Sequence, residues 1–239
     1  VEPLPADLAA DETAAFLAPL LPPSARVLEI GCGDGRVAAR LAAAGFRVLG
    51  IDTDEEEIAL AQQRGVEARV ADALEIGGGP FDAIAFTRSL HHIERLDAAL
   101  DRARGLLAPG GRLLAEEFAR ESADAATARW FYGHVDRLDA AGLIETDEED
   151  SMAEDPLERW IGDHEVCLHP GAELRRAFAA RFSDVETVSA PYLFRYFCGR
   201  LEESPRGAAI SREILEEERR EIATRRIVAV GLRITARRA

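Results

Sequence analysis

Residues 28–35 read LEIGCGDG, an apolar run that ends in three closely spaced glycines, Gly31, Gly33 and Gly35. Glu29 lies just before them, and Asp34 stands between the last two. The run begins earlier, as RVLEI at 26–30, and Val37 and Leu41 follow at helical spacing. An apolar strand, a glycine turn and an amphipathic helix are the opening unit of a parallel, doubly wound sheet. Such sheets bind ligands beyond the C-terminal ends of their strands, which is where this turn falls.

The alternation continues downstream. RVLGI (47–51), VEARV (66–70) and FDAIAF (81–86) read as strands, and Ile58 with Ala61 marks a helix between the first two. Ile93, Leu96, Leu100 and Leu107 fall at helical spacing, after which APGGRLLAEEF turns at Pro109–Gly111 into a fifth strand. Ahead of the first strand, Asp11 is placed to cap a helix that carries Phe16, Leu17 and Leu20 and stops at Pro22-Pro23. Further on, helices are expected over 121–141, 169–182 and 207–225, with strands near 184–189 and over 226–235. The acidic stretch ETDEEDSMAEDPLE (145–158) reads as a solvated loop or short helix. No repeat or low-complexity linker divides the chain.

Composition excludes several chemistries. With 239 residues, 47% hydrophobic and 31% charged, the chain reads as a soluble globule able to bury a sizeable core. Its formal net charge of -15 repels phosphate backbones, so nucleic acid is not an expected partner. All 29 basic residues are arginine, which excludes Schiff-base and P-loop lysine chemistry. Cys32, Cys167 and Cys198 show no CxxC spacing, so neither a disulfide framework nor a zinc site is expected. The acidic N-terminal residues do not resemble a signal peptide, and no apolar run approaches the ~20 residues that span a bilayer. A cytoplasmic protein without membrane partners is the expectation.

Two ligand classes use a strand, a glycine turn and an acid at the end of the next strand. Dinucleotides call for GxGxxG, whose amides face a pyrophosphate. Here the spacing is GxGxG, and a carboxylate at Asp34 repels pyrophosphate by roughly a kcal/mol or more in a partly dry site. S-adenosylmethionine carries no phosphate and offers a sulfonium, an ammonium and ribose hydroxyls, for which nearby carboxylates are favourable. Asp52, at the end of the second strand, can accept from both ribose hydroxyls. After the third strand, Asp72 can accept from an adenine amino group while the Ala73 amide donates to a ring nitrogen.

VLEIGCGDG, GIDTDEE, ADALEI, FDAIAFTRSLHHI and LLAPGGRLLAEEF resemble, in order, the successive motifs of class I S-adenosylmethionine-dependent methyltransferases. The likeness is nearest to the small-molecule branch with a type 11 methyltransferase domain, and covers about residues 25–120. It implies a doubly wound, seven-stranded Rossmann-like sheet of order 3-2-1-4-5-7-6 with its last strand antiparallel. In that family a tight hairpin joins the last two strands; here the segment 190–225 stands between them. With no repeat or linker to divide it, the chain is expected to be a single methyltransferase domain over 1–239, with 25–120 as cofactor-binding core and, where the strand–helix rhythm breaks, 121–168 and 191–225 as candidate substrate lids. The cofactor is then S-adenosylmethionine, held by a candidate set of Glu29, Gly31, Cys32, Gly33, Gly35, Asp52, Thr53, Asp72, Ala73 and Thr87. No metal is expected.

His91 and His92 follow the fourth strand, where a methyl acceptor belongs, and are the candidate general bases; adjacent side chains diverge, so at most one faces the substrate. Glu116 and Glu117 are read as solvated strand-end acids, with acceptor orientation as the lesser alternative. His134, His164 and His169, and the aromatic group Tyr192, Phe194, Tyr196 and Phe197, are read as packing. The expected partner is a small-molecule methyl acceptor of a monomer or homodimer. A cofactor-binding protein without turnover, a protein methyltransferase and a nicotinamide-dependent oxidoreductase are the competing readings.

Overall fold

The computed structural model describes residues 3–144, 153–164 and 169–238. Its strands are β1 (Arg26–Ile30), β2 (Arg47–Asp52), β3 (Glu67–Val70), β4 (Phe81–Thr87), β5 (Leu107–Phe118), β6 (Ser183–Ala190) and β7 (Gly231–Arg237). They form one sheet in the order β3-β2-β1-β4-β5-β7-β6, as the resemblance implies. The first five strands run parallel. Gly110 N–H donates to Arg238 O and Ala119 N–H to Val230 O, so partner numbers fall along β5 and β7 is antiparallel to it.

The helices are α1 (Pro5–Leu17), α2 (Arg36–Ala43), α3 (Glu55–Gln63), α4 (Leu96–Leu106), α5 (Ala125–Ala140), α6 (Pro156–Asp163), α7 (Gly171–Ala179), α8 (Phe194–Arg200) and α9 (Pro205–Ala223). Together these elements divide into two compact units.

One unit comprises Ala10–Glu117, Gly171–Val188 and Leu232–Ala239 and contains most of the sheet. Val27, Val48, Ala68, Ala83 and Leu114 lie on one face of it, packed with Val37 and Leu41 of α2 and Ile58 and Ala61 of α3. Their neighbours Leu28, Ile51, Ile84 and Phe86 point to the opposite face and are equally buried. Burial on both faces is why the strands read as nearly continuous apolar runs. Asp54 caps α3 by accepting from the backbone N–H of Glu56 and Glu57 at 2.8 and 3.2 Å, which fixes where β2 turns into that helix. Arg181, just after α7, pairs with Asp97 at 3.0 Å and Asp101 at 2.9 Å, both on α4.

The second unit comprises Val1–Ala9, Phe118–Pro170 and Ser189–Gly231 and has its own core. Phe131 of α5 packs edge-on against Trp160 of α6 and Tyr196 of α8. Tyr192, Phe194 and Phe197 are buried in the same cluster, as the packing reading expects. Glu218 of α9, fully buried, accepts the backbone N–H of Tyr192, Leu193 and Phe194 at 2.7–3.0 Å and so satisfies the open N-terminus of α8.

Two boundaries differ from expectation. The first helix starts at Pro5 instead of after Asp11: proline at the first turn presets φ, and Asp7 accepts the Leu4 N–H at 3.1 Å. Asp11 instead lies within the helix and pairs with Arg40. The last strand starts at Gly231 instead of 226, because Ile227 and Val230 are buried and the Val228 N–H donates to Thr127 Oγ1 at 2.9 Å. Most of the acidic stretch, 145–152, lies outside the described residues; its end starts α6.

Gly35 supplies a test of this packing. Its φ is +76°, and a Cβ there would lie 2.7 Å from the Ala61 Cβ of α3. Gly35→Ala is expected to destabilise by about 1–2 kcal/mol for the left-handed backbone, with a further ~1–3 kcal/mol for overpacking. In an Ala61→Gly background the second part should shrink while the first persists. Urea unfolding of the four proteins in this cycle measures both parts; a coupling of zero would mean that α2 and α3 do not meet at this point.

Candidate active site

The turn after β1 is closed on itself. Gly31 and Cys32 both donate their N–H to Ile51 O, at 2.9 and 3.0 Å. Gly33 N–H donates to Asp52 Oδ2 at 2.9 Å, and Gly35 N–H to Cys32 O at 3.0 Å. The amides of Gly31, Cys32, Gly33 and Gly35 are therefore engaged within the protein, unlike those of a loop that cradles a pyrophosphate. The glycines answer a different need: Gly31 has φ +74°, and a Cβ there would lie 2.3 Å from the Ser89 Cβ. Glycine lets the end of β1 pass directly against the segment that leaves β4.

Beyond the strand ends lies a cavity of about 810 Å³, walled by Ile30, Gly31 and Gly33 from the turn, Ile51–Asp54 after β2, Ala71–Leu74 after β3, and Thr87–Ser89 with His92–Arg95 after β4. It unites Gly31, Gly33, Asp52, Thr53, Asp72, Ala73, Thr87 and His92 among the residues predicted from sequence. Glu29, Cys32, Gly35 and His91 are not on its wall. Asp52 is oriented by the Gly33 N–H on one oxygen and the Asp54 N–H on the other, at 2.9 and 3.2 Å. Asp72 is exposed and accepts the Leu74 N–H at 2.6 Å, which shapes the turn below Ala73.

Asp34 corrects the reading of the turn's acids. Its carboxylate pairs with Arg36 Nε at 2.7 Å and with Arg64 at 2.8 Å, and it is absent from the cavity wall. Its charge is neutralised locally instead of facing a ligand. Cys32 is buried with its sulfur over Gly50, where a Cβ would lie 2.8 Å from Sγ. Burial, then Glu29 and Asp52, push its thiol far above the ordinary range, so it is no nucleophile.

Glu29 lies behind the wall, fully buried, and its Oε1 accepts the hydroxyl of Thr87 at 2.9 Å. Oε2 makes no hydrogen bond of ordinary geometry among the described residues. Desolvation raises its pKa from 4.5 to about 7, against the pull of Thr87 and Arg88. Ser89 Oγ donates to Ile30 O at 2.8 Å, so β1 and β4 are joined at their ends by side chains as well as by the ladder.

The strand-end acids of β5 are not solvated, contrary to the sequence reading. Glu117 is fully buried; Oε1 accepts the N–H of Ser89 and Leu90 at 2.9 and 2.8 Å, and Oε2 lies 2.6 Å from His91 Nδ1. It thereby clamps the segment that carries the β4 side of the cavity. His91 is buried on this carboxylate, which leaves His92 as the histidine on the wall. Burial, then the charge of His91, hold the His92 imidazole below its usual pKa. Glu116 is also buried, bonded to Thr13 Oγ1 at 2.5 Å and to Arg233 through two contacts of 3.0 and 2.8 Å. The adjacent glutamates gave no hint of this in sequence, because their partners lie after β4, on α1 and on β7.

A family model described as "Methyltransferase domain" matches residues 5–181. An uncharacterized methyltransferase of Mycobacterium tuberculosis is 40% identical over 102 residues, which are 40% of this chain and 52% of that protein. A ubiquinone biosynthesis O-methyltransferase of Xylella fastidiosa is 37% identical over 105 residues, 40% of this chain and 43% of the other. The chain thus spans about half the length of the curated relatives it matches. Among solved structures, a SAM-dependent methyltransferase of Thermotoga maritima, described as a possible histamine N-methyltransferase, has the same fold. Its TM-score is 0.57 at 18% identity, over 95% of this chain and 89% of that one. With the matched segment running from α1 to the end of α7, the chain belongs to the methyltransferase-domain family.

Proposed function

We propose that this chain transfers a methyl group from S-adenosylmethionine to a small-molecule acceptor. The observation that carries the reading is the turn after β1: its amides are engaged within the protein, while Asp52 stands beside it on the cavity wall. A pyrophosphate would find no open donors at those glycines and a carboxylate next to them. A cationic cofactor without phosphate suits the same surface. The acids also fit such a group. Asp52 has lone pairs for ribose hydroxyls, and Asp72 and Ala73 offer an acceptor and a donor to a base edge. The bound cofactor supplies an activated methyl group on a sulfonium. The protein's part is to hold ligands in line and to exclude water.

Between the two histidines, His92 is our choice for proton acceptor, since it lies on the cavity wall and its lowered pKa keeps it neutral near pH 7. His91 serves instead to hold Glu117. The relatives named for ubiquinone biosynthesis support a small-molecule acceptor, and the segments 121–168 and 191–225 remain our proposal for selecting it. The buried thiols of Cys32 and Cys198 suit a reducing, cytoplasmic compartment.

Calorimetry with S-adenosylmethionine, S-adenosylhomocysteine and NAD tests the cofactor. Binding of NAD without the other two would overturn the proposal, and turnover with a panel of small acceptors separates an enzyme from a binder. Asp52→Ala should weaken S-adenosylhomocysteine by about 1.5–3 kcal/mol, the range for charge-assisted hydrogen bonds; an unchanged affinity would remove Asp52 from the site.

Glu29 makes a separate prediction about pH. Its folded pKa is raised, so its contribution to stability is complete below the unfolded value of 4.5 and is lost as pH rises through about 7. The loss is on the order of 3 kcal/mol. Glu29→Gln should therefore be nearly as stable as the parent at pH 4.5 and more stable at pH 8. A difference in urea unfolding free energy that does not change with pH would show that Glu29 ionises normally.

A further inference from the structure

The proposed function leaves Arg88 unexplained. This residue follows Thr87 at the end of β4 and lines the cavity, with φ +57°. A left-handed backbone is uncommon for so large a side chain and persists only where the surroundings impose it. Here the Arg88 N–H donates to Glu116 O at 2.7 Å.

Its guanidinium is held at one corner only. NH1 donates to Thr13 Oγ1 at 3.3 Å and lies 3.8 Å from Glu116 Oε2. Glu116 is not a dedicated partner, because Arg233 already takes its other oxygen through two contacts. Two arginines thus share one buried carboxylate. Glu29 also feels the Arg88 charge, but its raised proton affinity leaves it only partly ionised near neutrality. Among the described residues Nε and NH2 of Arg88 have no partner, and the side chain is about a third exposed. An oriented guanidinium with its Nε–NH2 edge open is the geometry that receives a carboxylate through two parallel hydrogen bonds.

We propose that Arg88 is a ligand-binding residue that pairs with a carboxylate in this cavity. Two groups offer that chemistry within the proposed function: the amino-acid end of the cofactor, and an acceptor that is itself a carboxylate. The inference rests on that function for the identity of the ligands, and on the guanidinium geometry for the charge.

Arg88→Gln keeps a polar side chain at the position while removing the charge and the fork, and Arg88→Lys restores the charge alone. Calorimetry compares S-adenosylhomocysteine with 5′-methylthioadenosine, which lacks the amino-acid end. The same proteins, with and without saturating S-adenosylhomocysteine, are titrated with benzoate and with neutral benzyl alcohol. Loss of about 10-fold or more for S-adenosylhomocysteine in Arg88→Gln, with methylthioadenosine unchanged and Arg88→Lys intermediate, assigns the cofactor carboxylate. Unchanged cofactor affinity with loss of a preference for benzoate over benzyl alcohol assigns the acceptor. Equal affinities of the parent and Arg88→Gln for every probe overturn the proposal. A parent protein that binds neither nucleoside overturns the cofactor reading; the benzoate titration then still decides for or against Arg88.

Discussion

The site depends on the near-contact of two backbones at the end of the sheet. At position 31 there is no room for a side chain, because the Ser89 Cβ occupies the space that a Cβ would need. Glycine there lets the ends of β1 and β4 lie together, and a lateral series of side-chain bonds then holds them. Thr87 reaches back to Glu29, Ser89 to Ile30, and Glu117 from β5 takes the next two amides and His91. These bonds run across the strands, perpendicular to the direction in which the sequence is read.

A sheet with this order brings many strand ends to one edge, where backbone amides and carbonyls lack ladder partners. In this protein the amides of the glycine turn are satisfied by Ile51, Asp52 and Cys32. The polar side chains on the cavity wall include carboxylates at Asp52 and Asp72, a histidine at position 92 and an arginine at position 88. Asp52, Asp54 and Asp72 stand on the β2 and β3 side of the wall, and Arg88, His92, Glu94 and Arg95 on the β4 side. A ligand carrying both signs of charge matches such a wall.

Much of this was legible from residue order. Strands buried on both faces leave continuous apolar runs, and helices leave a 3.6-residue period, so a doubly wound parallel sheet followed from RVLEI, RVLGI, FDAIAF and the helices between them, while the strand order came from the resemblance of these motifs to a known family. Asp52 and Asp72 line the cavity, as acids at or just past the ends of β2 and β3 would. Asp34 looked equivalent and is not, since Arg36 and Arg64 turn it away. Glu116 and Glu117 looked solvated, since nothing nearby in sequence supplies their partners; Arg233 is distant in the chain and adjacent only through the antiparallel last strand.

The amino-acid sequence by itself determined the alternation of strands and helices and hence the doubly wound sheet, because periodicity and turn chemistry are local properties. Only the tertiary structure decided which groups face the cavity. It placed His92 on the wall and His91 on Glu117, engaged the glycine amides within the turn, and left one edge of Arg88 open. Charges and hydrogen bonds find their partners through space, and the long-range pairs that settle them are set by how strands lie side by side.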